Sequence, residues 1–211
     1  MTRTKDTKGE RTKSLILDSA VEIASVNGLE GLSIGGLAKE LSMSKSGLFA
    51  HFGSKEELQV ATVEHAREIF IEAVIRPAFK TPPGFERLRS LCEKWLAYSQ
   101  GKVFKGGCFF AAAATEFDSK PGPVRDRIAD EWRGWLSALE TTIRKAQEEG
   151  EVNPSIDPRQ TAFEINALAV AANTDSQLLG DKTAYRRSRV AIERRLQEIA
   201  VSTPRSKKHA G

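Results

Sequence analysis

Ser33-Ile34-Gly35-Gly36-Leu37-Ala38-Lys39-Glu40-Leu41-Ser42-Met43-Ser44-Lys45-Ser46-Gly47-Leu48-Phe49-Ala50-His51-Phe52-Gly53-Ser54-Lys55 divides into two short helical segments on either side of Ser42-Met43-Ser44. Leu37, Leu41, Met43 and Leu48 fall where two helices joined at a steep angle by a turn of about three or four residues need their shared apolar contacts. Ala38 is small where the helices approach, and Leu48 and Phe52 read as core. The second helix opens on hydroxyls and small groups, which suit close approach to a major groove with amides and hydroxyls on phosphates. Ser33, Ser44, Lys45, Ser46, Gly47, Phe49 and His51 are therefore candidate nucleic-acid contacts. Lys55, in the first turn of the next helix, joins them beside that helix's free amides. For His51 a structural histidine remains the competing reading.

Outward from this unit the whole chain reads as helix, with no alternating, β-branched strands bounded by turn pairs. A first helix covers 12–26, with Ile16, Ala20, Ile23 and Ala24 on one face and Asn27-Gly28 as its stop. Ser33 caps a second helix through Leu41, and a third covers 45–51 and ends at Gly53. Ser54 and Glu57 form a capping box that opens a fourth helix to about 75, where Pro77 stops it. Further helices are expected over 85–99, 104–117, 123–149, 158–179 and 183–201, punctuated by Pro83-Gly84, Gly122-Pro123, Gly150 and Asp157-Pro158. The expectation is an all-α protein of about nine helices. A three-helix helix-turn-helix domain with a basic N-terminal arm would fill 1–53, a larger helical domain 54–201, and a disordered basic tail 202–211.

The chain has 211 residues and a formal charge of +4. That balance suggests a polyanionic partner, but residues 1–60 carry eight basic and eight acidic side chains, and the excess lies in residues 185–211, with eight against two. Charge alone does not place the contact surface. Two cysteines, Cys92 and Cys108, exclude a disulfide framework or a four-cysteine zinc site. A secretory signal needs an apolar stretch of roughly 7–15 residues, and none follows Met1. The strongest apolar run, Cys108 to Ala114, is far short of the roughly 20 residues of a spanning helix. A cytoplasmic protein without a membrane partner is expected. Ser42-Met43-Ser44-Lys45 matches S-x-x-K, but its companion motifs are absent, as are G-x-S-x-G, the P-loop and H-E-x-x-H. His51, His65 and His209 are too dispersed for a metal site. No enzyme activity, metal or cofactor is expected.

Three blocks carry a family resemblance: Ile16-Leu17-Asp18-Ser19-Ala20-Val21-Glu22-Ile23-Ala24 with Asn27-Gly28; Leu32-Ser33-Ile34-Gly35-Gly36-Leu37-Ala38; and Ser44 through Leu58. In this order they resemble the TetR-type bacterial transcription regulators. The chain departs from the family pattern at Ser42, where the turn has Gly, at Phe49, where Tyr is usual, at Ala24, where an aromatic is usual, and at Gly35-Gly36. The resemblance implies a transcriptional repressor that binds a palindromic double-stranded DNA operator as a homodimer. It also implies a small-molecule effector that relieves repression through the C-terminal helices. Trp95, Phe104, Cys108, Phe109, Trp132, Glu116 and Asn166 are the candidate effector contacts, with plain core packing as the alternative for the aromatics. Cys108 is either a sensor of oxidants or electrophiles or a buried inert thiol. Phe163, Ala167, Val170 and Ala171 on one late helix, and Tyr185, Ile192, Leu196 and Ile199 on the last, are the candidate dimer faces.

Overall fold

A computed structural model describes residues 8–101 and 103–201, and the regular elements among them are helices. They are α1 (Lys8–Asn27), α2 (Ile34–Glu40), α3 (Lys45–Phe52), α4 (Lys55–Phe70), α5 (Phe85–Gln100), α6 (Phe109–Phe117), α7 (Pro123–Glu148), α8 (Pro158–Leu178) and α9 (Ala184–Ile199). A lone antiparallel bridge, Val152 to Ala200, pins the end of α9 against the α7–α8 connection. Of the basic arm, Arg3 and Lys5 lie outside the described residues, as does the tail 202–211, while Lys8, Arg11 and Lys13 sit on α1.

The caps explain most boundaries. Ser33, Ser44 and Ser54 each accept a hydrogen bond from the amide three residues on, at 3.0 Å, so α2, α3 and α4 begin where a hydroxyl satisfies an orphan donor. Only half of the expected capping box forms at α4: the Ser54 amide donates to Phe52 O at 2.7 Å instead of to Glu57. Asp157 caps α8 through the Arg159 amide at 2.8 Å.

Three expectations need correction. α1 starts at Lys8, four residues early. α6 starts at Phe109 and not at 104, because Gly107 sits at φ +84° and Cys108 is extended, a geometry no helix contains. α4 outlasts Ile75: it continues through a π-helical stretch, Ile71–Ile75, and an α turn, Arg76–Ala78. Pro77 carries no amide hydrogen and its ring crowds the carbonyl of Ala73, and the widened turn that contains Ala73 lets the helix pass.

The apolar side chains gather in two clusters. Ile16, Leu17, Ala20, Leu32, Leu37, Ala38, Leu48, Phe52 and Leu58 form the smaller, which holds α2 and α3 against α1 and the start of α4. The larger runs from Val21, Ala24 and Leu29 through α4–α9. α1 thus serves both clusters, Ile16, Leu17, Ala20 and Ile23 facing the smaller and Val21 and Ala24 the larger.

Candidate functional site

The turn from α2 to α3 is a Schellman motif. The Met43 amide donates to Ala38 O at 2.8 Å and the Ser42 amide to Lys39 O at 3.2 Å. This places Ser42 at φ +53°, the left-handed position at which the resemblance expects Gly. The turn sets α3 with Leu48 and Phe52 inside and Ser44, Lys45, Ser46, Phe49 and Ala50 outside. Phe49 is 54% exposed, a large apolar ring on a helix whose core face is already filled. Gly47 and His51 are half-buried, and His51 has no hydrogen bond among the described residues. The Lys45 stem lies across Gly35, where a Cβ would stand 3.2 Å from Lys45 Cε. Gly35 therefore weakens α2 but admits the lysine. Ser44 Oγ accepts from Gly47, so the amides of Lys45 and Ser46 stay unpaired at the positive end of the helix dipole, beside a free ammonium. Unpaired amides, hydroxyls and a free ammonium on one exposed face are groups able to bind phosphate. Ala50, Gly35 and Ile34 belong to this face and carry no chemical signal in the sequence.

Lys55 is exposed; its ammonium donates to Glu30 O at 2.7 Å and pairs with the Glu30 carboxylate at 3.4 Å, so it braces the α1–α2 loop at the surface. Glu116 is a correction. Its carboxylate accepts from the amides of Leu29 at 2.8 Å and Glu30 at 2.9 Å, so it grips the same loop and is not part of the cavity wall described next. Gln59 Nε2 adds a bond to Leu29 O at 2.7 Å, and Asp18 on α1 meets His65 on α4 at 2.6 Å. The loop before α6 also touches α1: a Cβ on Gly106 would fall inside the Ser25 carbonyl oxygen.

A cavity of about 220 Å³ lies between α4, α5, α7 and α8. Trp95, Cys108, Trp132 and Asn166 line it. Phe104 and Phe109 do not: they are buried behind it, Phe104 against Tyr98 at 5.9 Å and Phe109 against Phe110 at 5.4 Å. The wall is completed by Phe70, Ile71 and Ile75 of α4 and its extension, Phe110, and Glu131, Gly134, Trp135 and Ala138 of α7, with Arg67 at one end. Asn166 Oδ1 accepts from Trp135 Nε1 at 3.1 Å, which fixes both. Arg67 pairs with Glu131 at 3.0 Å and Arg127 with Glu131 at 2.6 Å, tying α4 to α7. Desolvation nevertheless raises the Glu131 pKa, against the pull of Arg127 and Arg67. Burial also pushes the Cys108 thiol up, so it is a neutral thiol at pH 7 and a poor nucleophile. Among the described residues no group of three His, Cys, Asp or Glu is placed to hold a metal. One signal for the missed wall was present: Phe70, Ile71, Val74 and Ile75 spread apolar groups over more of the helix than a single core stripe needs.

Phe163, Ala167, Val170 and Ala171 fall on an outward stripe of α8 that continues to Leu178, Phe163 being 62% and Leu178 77% exposed. The α9 residues do not share that face. Tyr185, Ile192, Leu196 and Ile199 are buried in the chain's own core, and Tyr185 OH meets Ser99 Oγ at 2.6 Å. A single apolar stripe cannot face both inward and outward, and here it docks α9 on α5 and α8. Its outer face carries Val190 with Arg186 and Arg194.

No helix among the described residues is long and apolar enough to cross a membrane. Residues 16–62 match the family model for bacterial regulatory proteins of the tetR family, and residues 84–192 that of the tetracyclin repressor-like C-terminal domain. The A-factor receptor protein of Streptomyces griseus is 26% identical over 194 residues, which are 86% of this chain and 59% of that protein. The biofilm operon icaADBC HTH-type negative transcriptional regulator IcaR of Staphylococcus epidermidis is 30% identical over 64 residues, 30% of this chain and 35% of that protein. This chain thus spans less than two thirds of either relative. A TetR transcriptional regulator of Chloroflexus aurantiacus shares the fold with a TM-score of 0.81 at 21% identity, over 92% of this chain and 98% of that one. The chain belongs to the tetR family of bacterial regulatory proteins.

Proposed function

We propose that this regulator is a repressor that binds a two-fold symmetric operator as a homodimer and is released by a small molecule in the α4–α8 cavity. One observation carries the reading: α6 touches both sites. Cys108 and Phe110 at its start line the cavity, while Glu116 near its end holds the amides of Leu29 and Glu30. These ends are about 10 Å apart at 1.5 Å per residue. A ligand that displaces Phe110 shifts α6, and with it the loop that sets α2 and α3 on α1. Effector and operator would then favour different positions of one rigid helix, which makes their affinities reciprocal. α4 gives a second link, since Arg67 and Phe70 border the cavity on the helix that opens beside α3. The names of the relatives, a receptor and a negative regulator, agree with this reading.

The outward stripe of α8 supports the homodimer, because a free Phe163 and Leu178 on one face are what a second copy would cover. A two-fold dimer presents two copies of α3 to half-sites about one helical turn, roughly 34–36 Å, or a related spacing apart. Footprinting of the purified protein on the DNA upstream of its own gene tests the proposal. Two protected half-sites related by a dyad, bound by a dimer, are expected. A single asymmetric footprint from a monomer would overturn it.

A further inference from the structure

The cavity has a neighbour. A second hollow, about 390 Å³, shares Gly134 and Ala138 of α7 with it and continues toward Lys145. The two run end to end along the same pair of walls. From Glu131 to Lys145, α7 passes from the tryptophans to Ser137, Thr141 and Lys145. In parallel, the extended α4 passes from Phe70 to Phe79, followed by Arg87 of α5. Fourteen residues of helix make this trough about 20 Å long. The inner half is aromatic and aliphatic. The lining of the outer half contains two cations, Arg87 and Lys145, and no acid.

Arg87 is held in place. Its Nη2 donates to Thr81 O at 2.9 Å, and its guanidinium stacks on the Phe79 ring at 4.5 Å, which leaves the opposite edge of the fork without a partner among the described residues. Lys145 pairs with Glu148 and Glu149 at 3.1 and 2.9 Å, both outside the lining. Gly134 stands where the halves meet. A glycine inside a helix is destabilising, and a Cβ here would meet nothing within 4 Å. Gly134 is itself exposed, so the space beside it is open to solvent where the two hollows adjoin. In the inner chamber Arg67 pairs with Glu131, which also holds Arg127.

We infer that the effector is an elongated amphiphile with one anionic head: an alkyl or acyl body among the tryptophans, threaded past Gly134, and a carboxylate, sulfate or phosphate on Arg87 and Lys145. This rests on the effector reading of the cavity given above. The chain's three tryptophans, Trp95, Trp132 and Trp135, all line the inner chamber, so intrinsic emission reports its occupancy.

The test titrates the full-length protein with decyl sulfate, decanol and decyltrimethylammonium, each below its micellar onset, and follows tryptophan emission and upstream-DNA anisotropy in the same samples. Decyl sulfate is expected to bind saturably and at least about tenfold tighter than the cation, a ratio that corresponds to one well-formed charged contact. Arg87→Gln and Lys145→Gln, at two half-buried positions, should each weaken decyl sulfate several-fold and leave decanol unchanged. Gly134→Leu should weaken all three probes. Equal binding of cation and anion, an unchanged sulfate affinity in both Gln variants, or no emission change with any probe overturns the inference. An anion preference without loss of DNA binding upholds this site and refutes the effector reading. DNA release by decanol and cation as readily as by sulfate does the reverse.

Discussion

Replacing Glu116 by Ala removes the one carboxylate that reaches from α6 to the α1–α2 loop. Two backbone donors, Leu29 N–H at 2.8 Å and Glu30 N–H at 2.9 Å, lose a charged acceptor. Leu29 is 1% exposed, so water replaces that bond poorly, whereas the Glu30 amide is exposed and re-solvates. A hydrogen bond to a charged group contributes about 1.5–3 kcal/mol, so one nearly full loss and one partial loss come to about 2–4 kcal/mol. Against a total of about 5–15 kcal/mol this is a large effect for a surface-facing acid. At a urea slope of about 2 kcal/mol/M the midpoint should fall by about 1–2 M. Glu116→Gln should recover about half of it, because its oxygen can still accept from Leu29 while its NH₂ faces a second donor. Urea denaturation gives the midpoints, and native-state hydrogen exchange should show Leu29 and Glu30 losing protection first. A midpoint within about 0.2 M of the parent, with unchanged exchange at both amides, would refute the argument that Glu116 holds the loop.

Ser42→Gly should stabilise the chain by about 0.5–1 kcal/mol, since glycine relieves the left-handed strain at φ +53° by more than it adds freedom to the unfolded state; thermal unfolding checks it, and a destabilised variant would contradict the turn geometry. If the exposed Phe163 face of α8 forms the proposed dimer, Phe163→Asp should sediment as a monomer and lose two-site operator binding while the helical circular dichroism is kept. Neither Cys92 nor Cys108 should react with a thiol reagent at pH 8 until the chain unfolds, because both are buried. Burial pushes Cys92 from 9.0 up to about 12, so the folded state keeps its proton where the unfolded state has lost it. Stability is therefore unaffected by Cys92 below pH 9 and falls between about pH 9 and 12, and Cys92→Ala should remove that part of the alkaline loss.

The helix-turn-helix was legible because its determinants are local. Ser33, Ser44 and Ser54 announce three helix starts within a few residues of the amides they cap, and Leu37, Leu48 and Phe52 are spaced for one small cluster. Ser42 was legible as a departure, and the structure explains how it is accommodated. The cavity was legible in part: Trp95, Trp132 and Asn166 are conspicuous, but which faces of α4, α5, α7 and α8 converge is a tertiary fact. Phe104 and Phe109 look the same in sequence as Phe110; the break at Gly107 sets Phe104 apart, and the turn of α6 sends Phe109 to the core and Phe110 to the cavity. Glu116 read as a polar group in an aromatic neighbourhood because its partners lie 86 and 87 residues away. The α9 stripe read as an interface for a related reason. Periodicity shows that Tyr185, Ile192, Leu196 and Ile199 need covering, but not whether the cover is the same chain or another.

If the exposed start of α3 meets a phosphate backbone, it shows in the salt dependence of binding to the upstream DNA, measured by fluorescence anisotropy for the parent and for Lys45→Ala. Losing one phosphate contact should reduce the magnitude of the slope of log K against log [salt] by about 0.9 and weaken binding at every salt concentration, with thermal stability unchanged. Identical slopes and affinities for the two proteins would contradict it.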